Sequence, residues 1–288
     1  MRPVVERTST WLLALLLQTG CTSCGGPPRG TEAPRCPEGM VYIEGGTFTM
    51  GTDEVIEHDD LASPAHQVTL SPYCFDRTEV TVAAYAVCEQ AGTCSRVHRG
   101  INCNNPEYPV RVNHPRNCVT WPQAHTYCEA QGLRLPTEAE WERAARGNEG
   151  RLYPWGNEPP SPQHARWEPS DPGRAYRIDG DWAMTDPVGS HPLGSTPEGV
   201  HDLAGNVREW VADWYADYSP EPQVNPHGPS DAENAARVAP DDWSRTTRGP
   251  SWTAYQPHQL RATLRSGLSL PFKLPTLGFR CAADPRSP

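Results

Sequence analysis

GLRLPTEAEWERAARG (132–147) is the stretch on which the reading of this chain turns. Thr137 and Glu140 have the spacing of a reciprocal helix cap, in which the threonine hydroxyl and the glutamate carboxylate satisfy two backbone N–H groups that a helix start leaves free. Gly147 supplies the stop. Two similar signals precede it. Thr120 stands before WPQAHTYCEAQG (121–132), with Pro122 early and Gly132 at the end, and Thr81 stands before VAAYAVCEQAG (82–92), where Val82, Tyr85 and Ala86 share one face. Three short helices are therefore expected between 81 and 147.

Working outward, MVYIEGGTFTMGT (40–52) places two short apolar pieces around Gly45 and Gly46, a strand, turn and strand signal. HQVTLSPYCFDRTEVT (66–81) continues in extended style, with Val68 and Leu70 alternating against polar neighbours. Beyond residue 150 sustained periodicity fades into turns, and 218–242 reads as a long surface loop. No internal repeat or second domain boundary is evident.

Composition narrows the class. Hydrophobic residues make up only 36% of the 288, with 32 prolines and 24 glycines, so irregular chain should dominate; the 10 tryptophans argue for a folded, aromatic-rich core. The net charge of −10 and a single lysine, Lys273, exclude a phosphate-backbone partner such as a nucleic acid. The scattered arginines read as ion-pairing and hydrogen-bonding residues. At the start, Arg2 and Arg7 precede the apolar run 11–17 and then Gly20-Cys21. This has the form of an export signal (1–20) too short to span a bilayer as a stable helix. Cys21 is the expected lipidation site of a bacterial lipoprotein, facing periplasm or cell surface, although Gln18 replaces the usual aliphatic residue. Plain secretion and a retained anchor are the alternatives. Residues 21–37 form a Pro/Gly-rich tether, 38–284 the domain and 285–288 a tail. In an oxidising compartment disulfides persist.

Seven segments in order, GGTFTMG (45–51), DRTEVT (76–81), GLRLPTEAEWERAARG (132–147), YPWG (153–156), DLAGNVREW (202–210), RGPSW (248–252) and LGFRC (277–281), give the domain its resemblance to the formylglycine-generating enzyme, or sulfatase-modifying factor, family. The resemblance implies an α+β fold of the C-type-lectin-like kind, with small twisted sheets, few helices and much irregular structure. Trp141, Trp155, Trp210 and Trp252 are then expected mainly as packing residues.

It also implies a bridge between Cys128 and Cys281, whereas a second family bridge is absent because Ala144 or Ala145 stands in place of its first cysteine. The other six domain cysteines leave their pairing open; nearness in sequence favours Cys88 with Cys94 and Cys103 with Cys118, leaving Cys36 with Cys74. The segment 202–210 resembles the family's calcium loop, which carries over to the side chains of Asp202 and Glu209 and the carbonyls of Gly205 and Val207 as ligands of a structural calcium ion. A second family calcium site would start at Ala165-Arg166, where a cation occupies the ligand position unless Asp179 or Asp181 compensates.

In active members of that family two cysteines shortly after the Ser-Trp turn bind Cu(I) and, with oxygen, convert a sulfatase cysteine to formylglycine. Here those positions hold Ala254 and Gln259. Soft Cu(I) needs thiolate, and neither residue supplies it, so copper is not expected. His258 is a single imidazole, and nothing in the sequence gives Ser251 a base. The expectation is an exported, diverged binding module whose former substrate cleft, walled by Ser251, Trp252, Tyr255 and His258, takes a peptide, protein or glycan. The alternative is an enzyme of the same fold with altered oxidative or partner-assisted chemistry, including formylglycine generation.

Overall fold

The computed structural model describes residues 35–54, 61–100, 102–168 and 184–286. The export segment, Cys21 and most of the tether lie outside the described residues, as do Asp179 and Asp181. The three capped helices form: α1 (Val82–Gln90), α2 (Trp121–Ala130) and α3 (Glu138–Arg146), with Thr81, Thr120 and Thr137 as N-caps. Both α2 and α3 carry the full reciprocal cap, and Gly147 ends α3 at φ 64°.

The strands are short and gather into small sheets. β1 (Met40–Ile43) and β2 (Gly46–Met50) flank the Gly45-Gly46 turn but do not pair with each other. β1 joins β4 (Tyr73–Asp76), while β2 joins β3 (His66–Leu70). Gly45 allows that parting: a Cβ there would come within 2.6 Å of the Leu70 carbonyl oxygen.

The largest sheet is built from the part of the chain that lacks periodicity. Its order is β8 (Arg265–Ser269), β7 (Ser244–Arg248), β5 (Arg208–Trp214) and β9 (Leu277–Phe279), with β9 parallel to β5. Within 218–242, expected as loop, the chain forms β6 (Gln223–Val224) and α4 (Asp231–Arg237). The cap of α4 is another reciprocal pair, Ser230 with Glu233, present in the sequence but without an apolar stripe behind it. β10 (Ala282–Ala283) returns to β4.

The core follows the aromatic expectation. Trp141, Trp210, Tyr73, Tyr85, Phe75 and Phe279 are fully buried, and the Trp141 and Trp210 indoles donate to Glu209 and the Val119 carbonyl. Every residue of α3 is buried, including its three glutamates and two arginines. Glu138 pairs with Arg248 and Arg265 of the sheet, Glu142 with Arg248 and, within the helix, Arg146, while Arg143 donates to the Glu44 carbonyl. The arginines of this chain are thus a second, polar core laid alongside the aromatic one.

Four disulfides join Cys36 with Cys74, Cys88 with Cys94, Cys103 with Cys118, and Cys128 with Cys281. The last spans 153 residues and ties α2 to the segment after β9. A bridge closing so long a loop contributes about 2–5 kcal/mol.

Candidate functional site

The tail from Arg248 onward meets the 202–210 loop, and the meeting is organised by local geometry. Gly249 sits at φ 73°, and a Cβ there would lie 2.9 Å from the Trp141 ring, so the turn demands glycine. It delivers Ser251 and Trp252 to the loop, where the Trp252 amide donates to the Asn206 carbonyl at 2.9 Å.

The two positions that the thiols would occupy are both absorbed into structure. Ala254 is buried against Tyr153, Trp167 and Leu260, and its carbonyl accepts from the Glu168 amide at 2.8 Å. The Gln259 side-chain oxygen accepts the amides of Tyr255 and Gln256 at 2.9 and 3.1 Å, closing the turn between them. Neither is a Cu(I) ligand. Ser251 shares a hydrogen bond with Thr253 at 2.8 Å, and no described histidine or carboxylate takes its proton.

The expected cleft wall is corrected in one respect. Ser251 and Trp252 are buried, so only Tyr255 and His258 of that set present much surface. What the sequence did not reveal is an aromatic ladder on the same cluster: Tyr153, Trp155 and His164 stack with centroids 5.0 and 4.7 Å apart and ring planes within 7°. The indole N–H groups of Trp167 and Trp252 are buried without a hydrogen-bond partner among the described residues. Leaving such donors unpaired costs about 1–3 kcal/mol each, which an acceptor on a ligand would recover.

The calcium expectation also changes. Glu209 is fully buried, and both its oxygens are already engaged: Arg280 donates to each at 2.7 Å and Trp141 donates to Oε2 at 2.8 Å. It is an ion-pair partner and not a free ligand. Asp202, in the left-handed region at φ 61°, accepts the Gly189 amide through Oδ2. A carboxylate outside the loop stands nearby instead. Glu79 is buried, accepts from Asn206 through Oε1, and has no partner for Oε2. Burial first, and then the Asp202 charge, hold its carboxyl well above the usual range. The described residues hold no cluster of three or more histidine, cysteine or acidic side chains placed for a metal; the groups that would hold a cation at this loop are the orphaned Glu79 carboxyl and Asp202, with the Gly205 and Val207 carbonyls the expected backbone donors. Sequence order hid Glu79, 123 positions from Asp202, because only the fold brings DRTEVT to the loop. At Ala165-Arg166, where the family's second site would start, the Arg166 carbonyl accepts the Asn206 amide, and a Cβ on Gly205 would lie 2.3 Å from it.

A family model described as the sulfatase-modifying factor enzyme 1-like domain matches residues 28–285. The formylglycine-generating enzyme of Streptomyces coelicolor is 34% identical over 306 residues, covering 89% of this chain and 93% of that enzyme. The inactive C-alpha-formylglycine-generating enzyme 2 of Bos taurus is 28% identical over 293 residues, covering 86% and 89%. Among solved structures, PvdO from Pseudomonas aeruginosa superposes with a TM-score of 0.65 at 25% identity, covering 85% of this chain and 94% of that one.

Proposed function

The chain belongs to the sulfatase-modifying factor enzyme 1-like domain family, and on that premise we propose that it is a noncatalytic, ligand-binding member of it, working outside the cytoplasm. The observation that carries the reading is the fate of the thiol positions: Ala254 fills an apolar cluster and Gln259 closes a turn. Thiol chemistry therefore has neither its sulfur nor a vacancy for one. Relatives named as inactive occur within the same family.

The ligand would be a peptide, protein or glycan lying on the Tyr153, Trp155 and His164 ladder, next to Tyr255 and His258. The half-exposed Trp155 edge and the outer face of His164 suit a sugar ring or a planar peptide group. Glycan arrays and immobilised peptide libraries test this with the wild-type chain and with Trp155→Ala and Tyr255→Ala. The expected outcome is a binder whose affinity falls at least tenfold in both variants. Hits that bind the variants equally well would place the ligand elsewhere.

The four disulfides suit an oxidising compartment, and no helix among the described residues is long and apolar enough to cross a membrane. We place the domain on a tether anchored through a lipid on Cys21.

Calcium would serve structure, pinning the 202–210 loop to Glu79 and so fixing the platform on which Trp252 rests. Saturating calcium should raise the melting temperature by about 5–10 °C, since a ligand at a hundredfold its Kd adds roughly 2.7 kcal/mol. Glu79→Gln should lose most of that shift. An unchanged melting temperature in calcium and in chelator would remove the ion from the account.

A second reading keeps the chain an enzyme, because active formylglycine-generating enzymes are at least as similar to it as the inactive ones.

A further inference from the structure

Away from the tail, a cavity of about 510 Å³ opens between the start of α3, the end of β5 and the chain that follows it. Its lining contains carboxylates, histidines and aromatic rings but no lysine or arginine. Three acids contribute, and they differ in kind. Glu138 is already neutralised: Arg265 and Arg248 hold its oxygens, and the Tyr218 hydroxyl donates to it at 2.9 Å. Asp217 stands exposed at the mouth.

Asp213 is the unusual group. It is only 4% exposed, and no salt bridge reaches it among the described residues. Its Oδ2 accepts the Glu138 amide at 2.7 Å, anchoring the first turn of α3. Its own backbone amide is the other group that bonds the carboxyl. Gly228, on the cavity rim, lies so close that a Cβ there would stand 3.3 Å from Oδ1. A buried carboxyl held only by backbone amides, with no ion-pair partner, in the wall of a cavity lined by no lysine or arginine, is costly unless something neutralises it.

We propose that this cavity binds an organic cation, an ammonium or guanidinium group on an apolar stem, with Asp213 as its counter-ion, Met50, Trp214 and Tyr218 along the stem, and Asp217 at the entrance. The size suits one such side chain or a small amine, and the lining carries three acids and no lysine or arginine to hold an anion. Without a ligand the proton is the neutralising cation. Burial first, then the Glu138 carboxylate, push the Asp213 carboxyl up to about 8. The charged or titratable groups facing it are Glu138 and Glu140 from α3, Arg245 from β7, His66 from β3, and Asp217 and His227 from the loop.

The sign of the pH dependence follows. A cation competes with the Asp213 proton, so binding strengthens as pH rises through about 8. The test is a calorimetric titration of the full chain with agmatine and with a blocked Gly-Arg-Gly peptide, using butanol and butyrate as neutral and anionic controls. Both arms carry the same guanidinium: binding of agmatine alone marks a small-molecule site, and binding of the peptide marks a basic side chain of a partner. The expected result is affinity at least tenfold higher at pH 9 than at pH 6, with no binding of either control. Asp213→Asn, which keeps an acceptor for the Glu138 amide, should lose at least tenfold in affinity and lose the pH dependence. Asp217→Asn, at an exposed position that cannot endanger folding, should weaken binding about twofold at low salt and less at high salt. Equal affinity at both pH values, or butanol binding as well as agmatine, would overturn the proposal. So would failure of both cations to bind at pH 9.

Discussion

Replacing Arg248 with alanine should cost the fold about 3–5 kcal/mol, the usual penalty for removing one partner of a buried ion pair. Arg248 is completely buried in β7 and reaches two glutamates of α3, Glu138 Oε1 at 3.2 Å and Glu142 Oε2 at 2.7 Å. It also donates to the carbonyls of Ala262 and Thr263 and lies 5.3 Å from the Trp141 ring. Removing it leaves Glu138 to Arg265 and Glu142 to Arg146, so neither acid is wholly abandoned, but both keep a lone pair facing dry protein. For a domain of this size each kcal/mol moves the melting temperature by about 2–4 °C. Arg248→Lys should recover part of the loss, because an ammonium restores the charge but not the two-pronged reach. Thermal and urea unfolding of the three proteins provide the measurement. A loss below about 1 kcal/mol in the alanine variant would show that the polar core adds little to stability.

The same arginines show what a sequence can and cannot disclose. Their number and scatter indicated pairing, but not that α3 would be buried on every side, because an EAEWERAAR segment looks like a surface helix. Burial of its charges depends on strands that arrive a hundred residues later. The helix starts were legible because caps are local: Thr81, Thr120 and Thr137 act within three residues of themselves. The helix after Ser230 carries the same signal, yet its seven residues bury only Asn234, so no apolar stripe marks it. β7 is hidden for a related reason. Its SRTTR sequence buries Thr246, Thr247 and Arg248, polar residues that composition would assign to the surface.

The site was legible in part. The Ser-Trp turn fixes where the thiols would stand, and Ala254 and Gln259 can be read off directly. That both positions are occupied by packing and turn closure is a property of three dimensions. So are the ladder of Tyr153, Trp155 and His164, the orphaned oxygen of Glu79 and the lone carboxyl of Asp213. Each arises where segments distant in sequence leave a polar or aromatic group facing an unfilled role.

The strongest expected effect is all or none. An enzyme of this family that converts cysteine to formylglycine needs sulfur ligands for Cu(I), and here the first position offers a methyl group and the second an amide already bound to two backbone N–H groups. Restoring thiols alone should not revive the reaction. In Gln259→Cys the amides of Tyr255 and Gln256 lose their acceptor, and in Ala254→Cys the sulfur must enter a packed cluster with Tyr153, Trp167 and Leu260. The double variant is accordingly expected to be less stable and still inactive.

The decisive measurement incubates the purified wild-type chain with Cu(I), oxygen and a peptide containing Cys-x-Pro-x-Arg, and follows the peptide by mass spectrometry beside an active family member. The expected result is a peptide of unchanged mass with this chain and conversion with the active enzyme. Appearance of the aldehyde product with this chain would contradict it and make the protein an enzyme.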